Sequence, residues 1–313
     1  MQPSNVANTS TVTASPTQFY SWQNYRCAYQ VHQPLNSLPE GIPLLLIHPI
    51  GVGLSKQFWR LFCREWYQAN QSNLIYSPDL LGCGESDKPR QAYKPIDWAK
   101  QLQHFLQTVV QKPVILVVQG ATLPIALELV QLEQKLEQNL IAGLVLSDPT
   151  SWPVITRKAS ESQQKILWSV FNSPVGNLFF RYARTRKFLR SFSTEKLFAN
   201  SANVDEEWLN PLIADAQDMR GRYAVFSFLA RFWQTDYSQA IASVPHPTLL
   251  VVGEAAASIG KEGKKETPDQ RLSDYLKCLP QGRGVKITGK NIMPYENPAE
   301  FVQAIAPFIQ EFT

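Results

Sequence analysis

The sequence predicts an α/β fold: a mostly parallel central sheet flanked by helices, with a helical segment inserted late in the sheet. Three observations carry this. Short apolar runs of strand length alternate with segments whose apolar residues recur at helical spacing. The alternation breaks between Pro149 and Pro245, where helical, aromatic-rich sequence takes over, and then resumes. The 313 residues, 44% of them hydrophobic, suffice for one large core carrying an inserted subdomain.

Taken in order, residues 1–18 are polar and uncharged. They lack the apolar centre of a secretory signal and the arginines of a transit peptide, and read as a disordered tail. Residues 42–48 read as a strand, followed by a helix over 56–69. Residues 73–77 form a strand that runs into a loop at 78–88. Residues 97–110 place Trp98, Leu102, Phe105, Leu106 and Val109 at helical spacing. A strand at 114–118 has a helix, 123–132, tight behind it. The sixth strand, 141–146, is stopped by Ser147-Asp148-Pro149. Residues 150–244 are then a helical cap, inserted between core segments 19–149 and 245–313. Strands at 248–252 and 285–287 and a helix over 299–310 complete the core. Residues 254–267 form a charged loop with little to bury, and are expected to be mobile.

Composition removes several function classes. No apolar run approaches the ~18 residues of a membrane-spanning helix. Cys27, Cys63, Cys83 and Cys278 lie far apart without metal-type spacing, which fits a reducing, cytoplasmic compartment or a plastid stroma. No motif calls for a metal or cofactor, and no nucleic-acid-binding module is present. The formal charge of +4 is uneven: residues 157–196 hold nine Lys/Arg against Glu161 and Glu195, a local +7. Within that segment Arg181, Arg184, Arg186, Lys187 and Arg190 interleave with Tyr182, Phe188 and Leu189. This pattern suits either peripheral contact with an anionic membrane or a solvated helix face.

Three motifs fall where the strands end. His48-Pro49-Ile50-Gly51 follows one strand, Asp79-Leu80-Leu81-Gly82-Cys83-Gly84-Glu85-Ser86-Asp87-Lys88-Pro89 follows the next, and Val118-Gln119-Gly120-Ala121-Thr122 joins a strand to a helix. Together they resemble the α/β-hydrolase superfamily: its His-Gly turn, its D-x-x-G-x-G-x-S-x-x-P loop and its nucleophile elbow. The resemblance covers roughly residues 20–313. It implies the α/β-hydrolase fold, with a helical cap after the sixth strand and a Ser, Asp and His acting together.

The residues at those three places differ from the family's. Gly120 stands at the elbow, where serine is expected in a left-handed backbone that glycine adopts at little cost. Three residues past Gly253, the acid position reads Ala256. Counting back from Glu296-Asn297-Pro298, the base position reads Asn291, which cannot cycle a proton near neutral pH. The last histidine of the chain is His246, so none is available near the C-terminus. The resemblance also implies a surviving oxyanion-type pocket, formed by the Ala121 and Ile50 backbone N–H groups with His48, Gly51, Thr122 and Asp148 around it.

Plainer roles compete with these. His48 reads as an organiser of its turn, and His32, His104 and His246 as packing or surface residues. Asp148 reads as a turn or cap residue. Thr122, Cys83 and Asp148 are the remaining candidates for a substitute catalytic group, with no base beside either nucleophile. The aromatic-rich cap suits an apolar cavity. Two functions follow: a non-hydrolytic pseudoenzyme binding a lipophilic small molecule or a protein partner, or a hydrolase or lyase with a non-standard catalytic set.

Overall fold

The computed structural model describes residues 12–14, 16–35, 37–260 and 262–312. Nine strands form one sheet: β1 (Val12–Ala14), β2 (Gln18–Trp22), β3 (Tyr25–Pro34), β4 (Leu44–Ile47), β5 (Ile75–Pro78), β6 (Val114–Gln119), β7 (Ile141–Ser147), β8 (Thr248–Gly253) and β9 (Gly282–Ile287). Their order is β1-β3-β5-β4-β6-β7-β8-β9, with β2 paired to β3. Every pairing from β5 onward along this order is parallel, while β1, β2 and β5 lie antiparallel to β3.

Strands covered on both faces carry continuous apolar runs rather than an alternating pattern, and β4 and β6 are buried throughout. Their side chains divide by parity. Leu45, Ile47, Leu116 and Val118 enter one core with Trp98, Leu102 and Ala126. Leu44, Leu46, Ile115 and Val117 enter the other with Phe62, Trp66 and Phe301. The first core is roofed by α2 (Pro95–Phe105) and α3 (Leu123–Lys135), the second by α1 (Arg60–Gln68) and, near the C-terminus, by the short α12 (Met293–Glu296) and α13 (Pro298–Gln310).

The insertion between β7 and β8 is helical. It holds α4 (Trp152–Ile155), α5 (Glu161–Phe171), α6 (Pro174–Ala183), α7 (Arg186–Phe192), α8 (Glu206–Asp215), α9 (Arg222–Leu229) and α10 (Ser238–Ala242). The insertion follows the strand over 141–146 that the sequence names as the sixth, which is the seventh when β1 is counted. The extra strand is β1, which lies inside the stretch expected to be a disordered tail. Val12–Ala14 pairs with His32–Pro34 of β3, and Gln18 opens β2. Residues 1–11 and 15 of the expected tail lie outside the described residues.

Two further features bear on the site. A helix that the sequence reading lacks, α11 (Pro268–Cys278), precedes β9. Its start is well marked: Thr267 caps it, Gln270 returns the hydrogen bond in a capping box, and Pro268 fits the first turn. In the stretch expected to be a mobile loop, 254–267, several hydrogen bonds involve described residues. The Ala257 N–H donates to Asn291 Oδ1 at 3.1 Å, Ser258 Oγ donates to the Glu262 carbonyl at 2.5 Å, and Glu266 accepts the Trp152 N–H at 2.6 Å. Two of these tie Ala257 and Glu266 to Asn291 and Trp152 outside the stretch.

The three sequence motifs sit at the carboxyl ends of β4, β5 and β6. The loop after β5 is built around a buried Lys56–Asp79 ion pair that the half-exposed Glu85 joins. Lys56 Nζ lies 2.8 Å from Asp79 Oδ2 and 2.7 Å from Glu85 Oε1, and Asp79 also accepts the backbone N–H groups of Lys56 and Glu85. Gly84 is required there. At φ 50° an added Cβ would come within 2.3 Å of the Asp79 carboxylate. Ser86 accepts the Ala28 N–H and donates to the Asp79 carbonyl, so this motif shapes a loop and leaves the cavity to other residues.

Candidate functional site

In an open parallel sheet, ligands bind beyond the carboxyl ends of the strands. A cavity of about 510 Å³ lies there, over the ends of β6 and β7. Gly120 and Ala121 face it from the strand-to-helix turn, and Asp148, Pro149 and Thr150 from the end of β7. The insertion contributes Phe228, Leu229 and Trp233, and the loop after β8 contributes Ala257 and Ile259. Phe228 and Trp233 stack face to face, 5.2 Å between centroids and 8° from parallel, which gives one wall a flat apolar surface.

Gly120 has φ 60°, the left-handed region, despite the β-carbons of Val118 and Thr122 beside it. The elbow therefore keeps its sharp turn. It is also roomy: a Cβ built on Gly120 would meet only the Asp148 carbonyl, at 3.9 Å. Helix α3 starts directly behind. Thr122 is buried and donates its hydroxyl to the Gln119 carbonyl at 2.8 Å. Gln119 in turn donates to the Asn291 carbonyl at 2.7 Å.

Asn291 uses its side chain fully. Nδ2 donates to the Lys196 and Ala257 carbonyls at 2.7 and 2.9 Å, and Oδ1 accepts the Ala257 N–H at 3.1 Å. Its backbone N–H donates to the Leu197 carbonyl at 3.0 Å. This residue joins the loop after β9, the loop after β8 and the insertion. Ala256 is buried beside it, with its N–H on the Gly253 carbonyl.

The charged floor of the cavity is a feature that the sequence reading lacks. Arg271 of α11, almost wholly buried, donates from Nη1 to Asp148 Oδ1 at 3.0 Å and from Nε to Glu266 Oε2 at 2.8 Å. Two carboxylates thus share one guanidinium. Asp148 is also strained, with φ 43° at a non-glycine residue. Burial raises its carboxyl to about 7, even though Arg271 pulls it down. A folded-state value above the unfolded one means that the native state holds the extra proton. The stability Asp148 contributes should therefore be complete below about pH 4 and lost as pH rises through about 7. Thermal melts between these pH values should show a downward slope for wild type that flattens in Asp148→Asn.

Of the nominated site residues, the cavity wall takes Gly120, Ala121, Asp148 and Asn291. His48, Ile50, Gly51, Thr122 and Ala256 are not part of it. His48 accepts the Leu80 N–H at Nε2 (3.1 Å), and its Nδ1 lies 2.9 Å from the Pro49 carbonyl, so the neutral ring carries its proton on Nδ1. Burial lowers its pKa. His48 organises its turn, as the sequence suggests. Ile50 packs against the core and Gly51 borders a separate, minor crevice that includes Cys83. Burial pushes the Cys83 thiol up, away from the thiolate. His32, His104 and His246 also lie elsewhere: His104 contacts the Ser21 carbonyl, and His246 stands 3.6 Å from Glu133.

The fold and this cavity define an α/β-hydrolase scaffold. The chain belongs to the alpha/beta hydrolase family, whose model matches residues 44–304. Its structure is similar to that of a serine hydrolase involved in carbazole degradation, at 18% identity over 96% of this chain and 100% of that one, with a TM-score of 0.71. It is also similar to a thermophilic esterase from Thermogutta terrifontis with malate bound (17% identity, 96% and 100% covered, TM-score 0.68). A bromoperoxidase from Bacillus anthracis gives 16% identity, 94% and 100% coverage and a TM-score of 0.68. At these identities the likeness is one of fold. No curated protein sequence matches the chain.

The basic segment is only partly as expected. Arg186 and Arg190 share Glu206, and Arg184 donates to the Ala216 and Gln217 carbonyls. Arg181 and Lys187 remain exposed, in no ion pair among the described residues. No helix of the described residues is long and apolar enough to cross a membrane, and none of their His, Cys, Asp or Glu residues cluster as metal ligands.

Proposed function

We propose that this chain is a non-hydrolytic member of its family, a pseudoenzyme that holds a lipophilic small molecule between the sheet and a helical cap. One observation carries the reading: at the elbow a glycine faces the cavity, and the residue at the base position spends its whole side chain on structural hydrogen bonds. A nucleophile needs a base within hydrogen-bond reach, and no histidine lines this cavity. The aromatic and aliphatic wall, with a few polar groups at one end, has the make-up of a small-molecule site. The Ala121 backbone N–H, beside Gly120, is the group we assign to a ligand carbonyl.

A specific observation favours a second reading. Asp148 lies on the cavity wall with its carboxyl raised to about 7, a value suited to a general acid or base. A hydrolase that activates water, or a lyase, could run on that group alone, without a protein nucleophile.

The two are separated by three measurements on one preparation. Under the first reading, a panel of p-nitrophenyl esters shows no turnover above buffer, a serine-directed fluorophosphonate leaves no label, and native mass spectrometry of the freshly purified protein shows an apolar adduct. Turnover abolished by Asp148→Asn supports the second reading. A label on Thr122 or Cys83 would overturn both. Gly120→Ser is expected to fold, because its Cβ has room; the left-handed backbone costs a side chain about 1–2 kcal/mol. Its thermal midpoint should fall by a few degrees, and under the first reading the fluorophosphonate should still fail to label it, because no histidine lines the cavity to take the serine proton.

A further inference from the structure

Helix α6 is apolar on both faces. Its inner face, Gly176, Phe180 and Ala183, is buried, with Phe180 packed against Phe226. Its outer face repeats the pattern: Val175, Leu178, Phe179 and Tyr182 recur at helical spacing and point to solvent, Leu178 at 70% exposed and Val175 at 66%. The stripe continues on α5, where Ile166 is 63% and Val170 is 49% exposed. The two helices pack as neighbours, and Phe171 contacts Phe179 between them, so these side chains form one surface. A helix that faces water normally keeps this spacing for its buried side and carries polar residues outside.

The surroundings of this patch are basic. Lys165, Arg181 and Lys187 are exposed and in no ion pair among the described residues, whereas Arg186 and Arg190 are paired with Glu206 and add little. We propose that the outer face of α5 and α6 docks on an anionic lipid surface, the apolar stripe entering the headgroup boundary while Lys165, Arg181 and Lys187 meet lipid phosphates. Charge decides between a bilayer and a second copy of this chain. Two such faces brought together would oppose like charges, whereas anionic lipid neutralises them. The face also adjoins the cavity. Gln164 of α5 donates to the carbonyl of Arg231, a cavity-wall residue, at 2.8 Å. Docking is nonetheless independent of what the cavity binds, and stands or falls on its own test.

That test is flotation of the full chain with phosphatidylcholine vesicles and with phosphatidylcholine vesicles containing phosphatidylglycerol. Wild type should float with the anionic vesicles only, and added salt should release it. Leu178→Asp, or the milder Val175→Ser should Leu178→Asp unfold, and the double variant Arg181→Glu/Lys187→Glu should each weaken binding on the order of tenfold. Leu136→Asp, an exposed leucine at the end of α3, should bind as wild type does. Equal flotation on both vesicles, or none on either, would overturn the proposal. So would a concentration-dependent dimer on size-exclusion chromatography that Val175→Ser makes monomeric, because the patch would then belong to a second copy.

Discussion

Arg271→Met is expected to lose about 3–5 kcal/mol of stability, the usual cost of removing one partner from a buried ionic set. The variant leaves Asp148 and Glu266 without their shared guanidinium, both side chains almost fully buried. It also frees the Pro149 carbonyl, which accepts from Nη1 at 3.3 Å. Methionine fills much of the same volume, so cavity formation contributes little and the loss reports electrostatics. Urea denaturation checks this as a fall in midpoint at unchanged slope. The double variant Arg271→Met/Asp148→Asn should recover part of the loss above about pH 7, where the asparagine spares the site an ionised carboxylate with no partner. A single variant as stable as wild type would mean that the charged floor is solvated.

Asn291→His is expected to cost roughly 2–4 kcal/mol, since it strands the Lys196 carbonyl and both polar groups of Ala257 in a site that is almost dry. An imidazole has two ring nitrogens against the three bonds that this amide makes. This bears directly on restoring hydrolysis. The elbow accepts a serine, but the base position resists a histidine, so the triple variant Gly120→Ser/Ala256→Asp/Asn291→His should be limited by folding before it is limited by chemistry. Comparing thermal midpoints of Asn291→His with those of Gly120→Ser measures the asymmetry, with the larger fall expected for Asn291→His.

What the sequence made legible, and what it hid, follows from the range of the interactions involved. The strands β4, β6, β7 and β8 announce themselves because burial on both faces demands unbroken apolar runs. The family motifs were equally readable, since each is a local turn, two of them carrying a glycine at positive φ (Gly84 and Gly120). Boundaries moved by a few residues where a helix tightened or loosened, as at Leu106–Val110, which closes as a π-turn behind α2. Helix α11 could have been found from Thr267, Pro268 and Gln270 and from the spacing of Leu272, Tyr275 and Leu279. Its absence from the sequence reading hid Arg271. The pairing itself was not legible: Arg271 and Asp148 are 123 residues apart, and only the folded sheet brings them together. The same holds for Asn291. Its position could be counted from neighbouring motifs, whereas its ties to Lys196 and Ala257 depend on how the insertion settles over the core.

The outermost strand, β9, has its own bearing on how copies of this protein coexist. Its ladder is open along one side, yet it bears two cations, Arg283 and Lys286, and two glycines, Gly282 and Gly284. Both cations are held in ion pairs, Arg283 with Glu311 and Lys286 with Asp269, so a neighbouring molecule approaching there would meet solvated charged pairs along a weakly sheet-forming rim. Fibril-like stacking through that border is thereby discouraged, and concentrated solutions should resist aggregation from this end of the sheet.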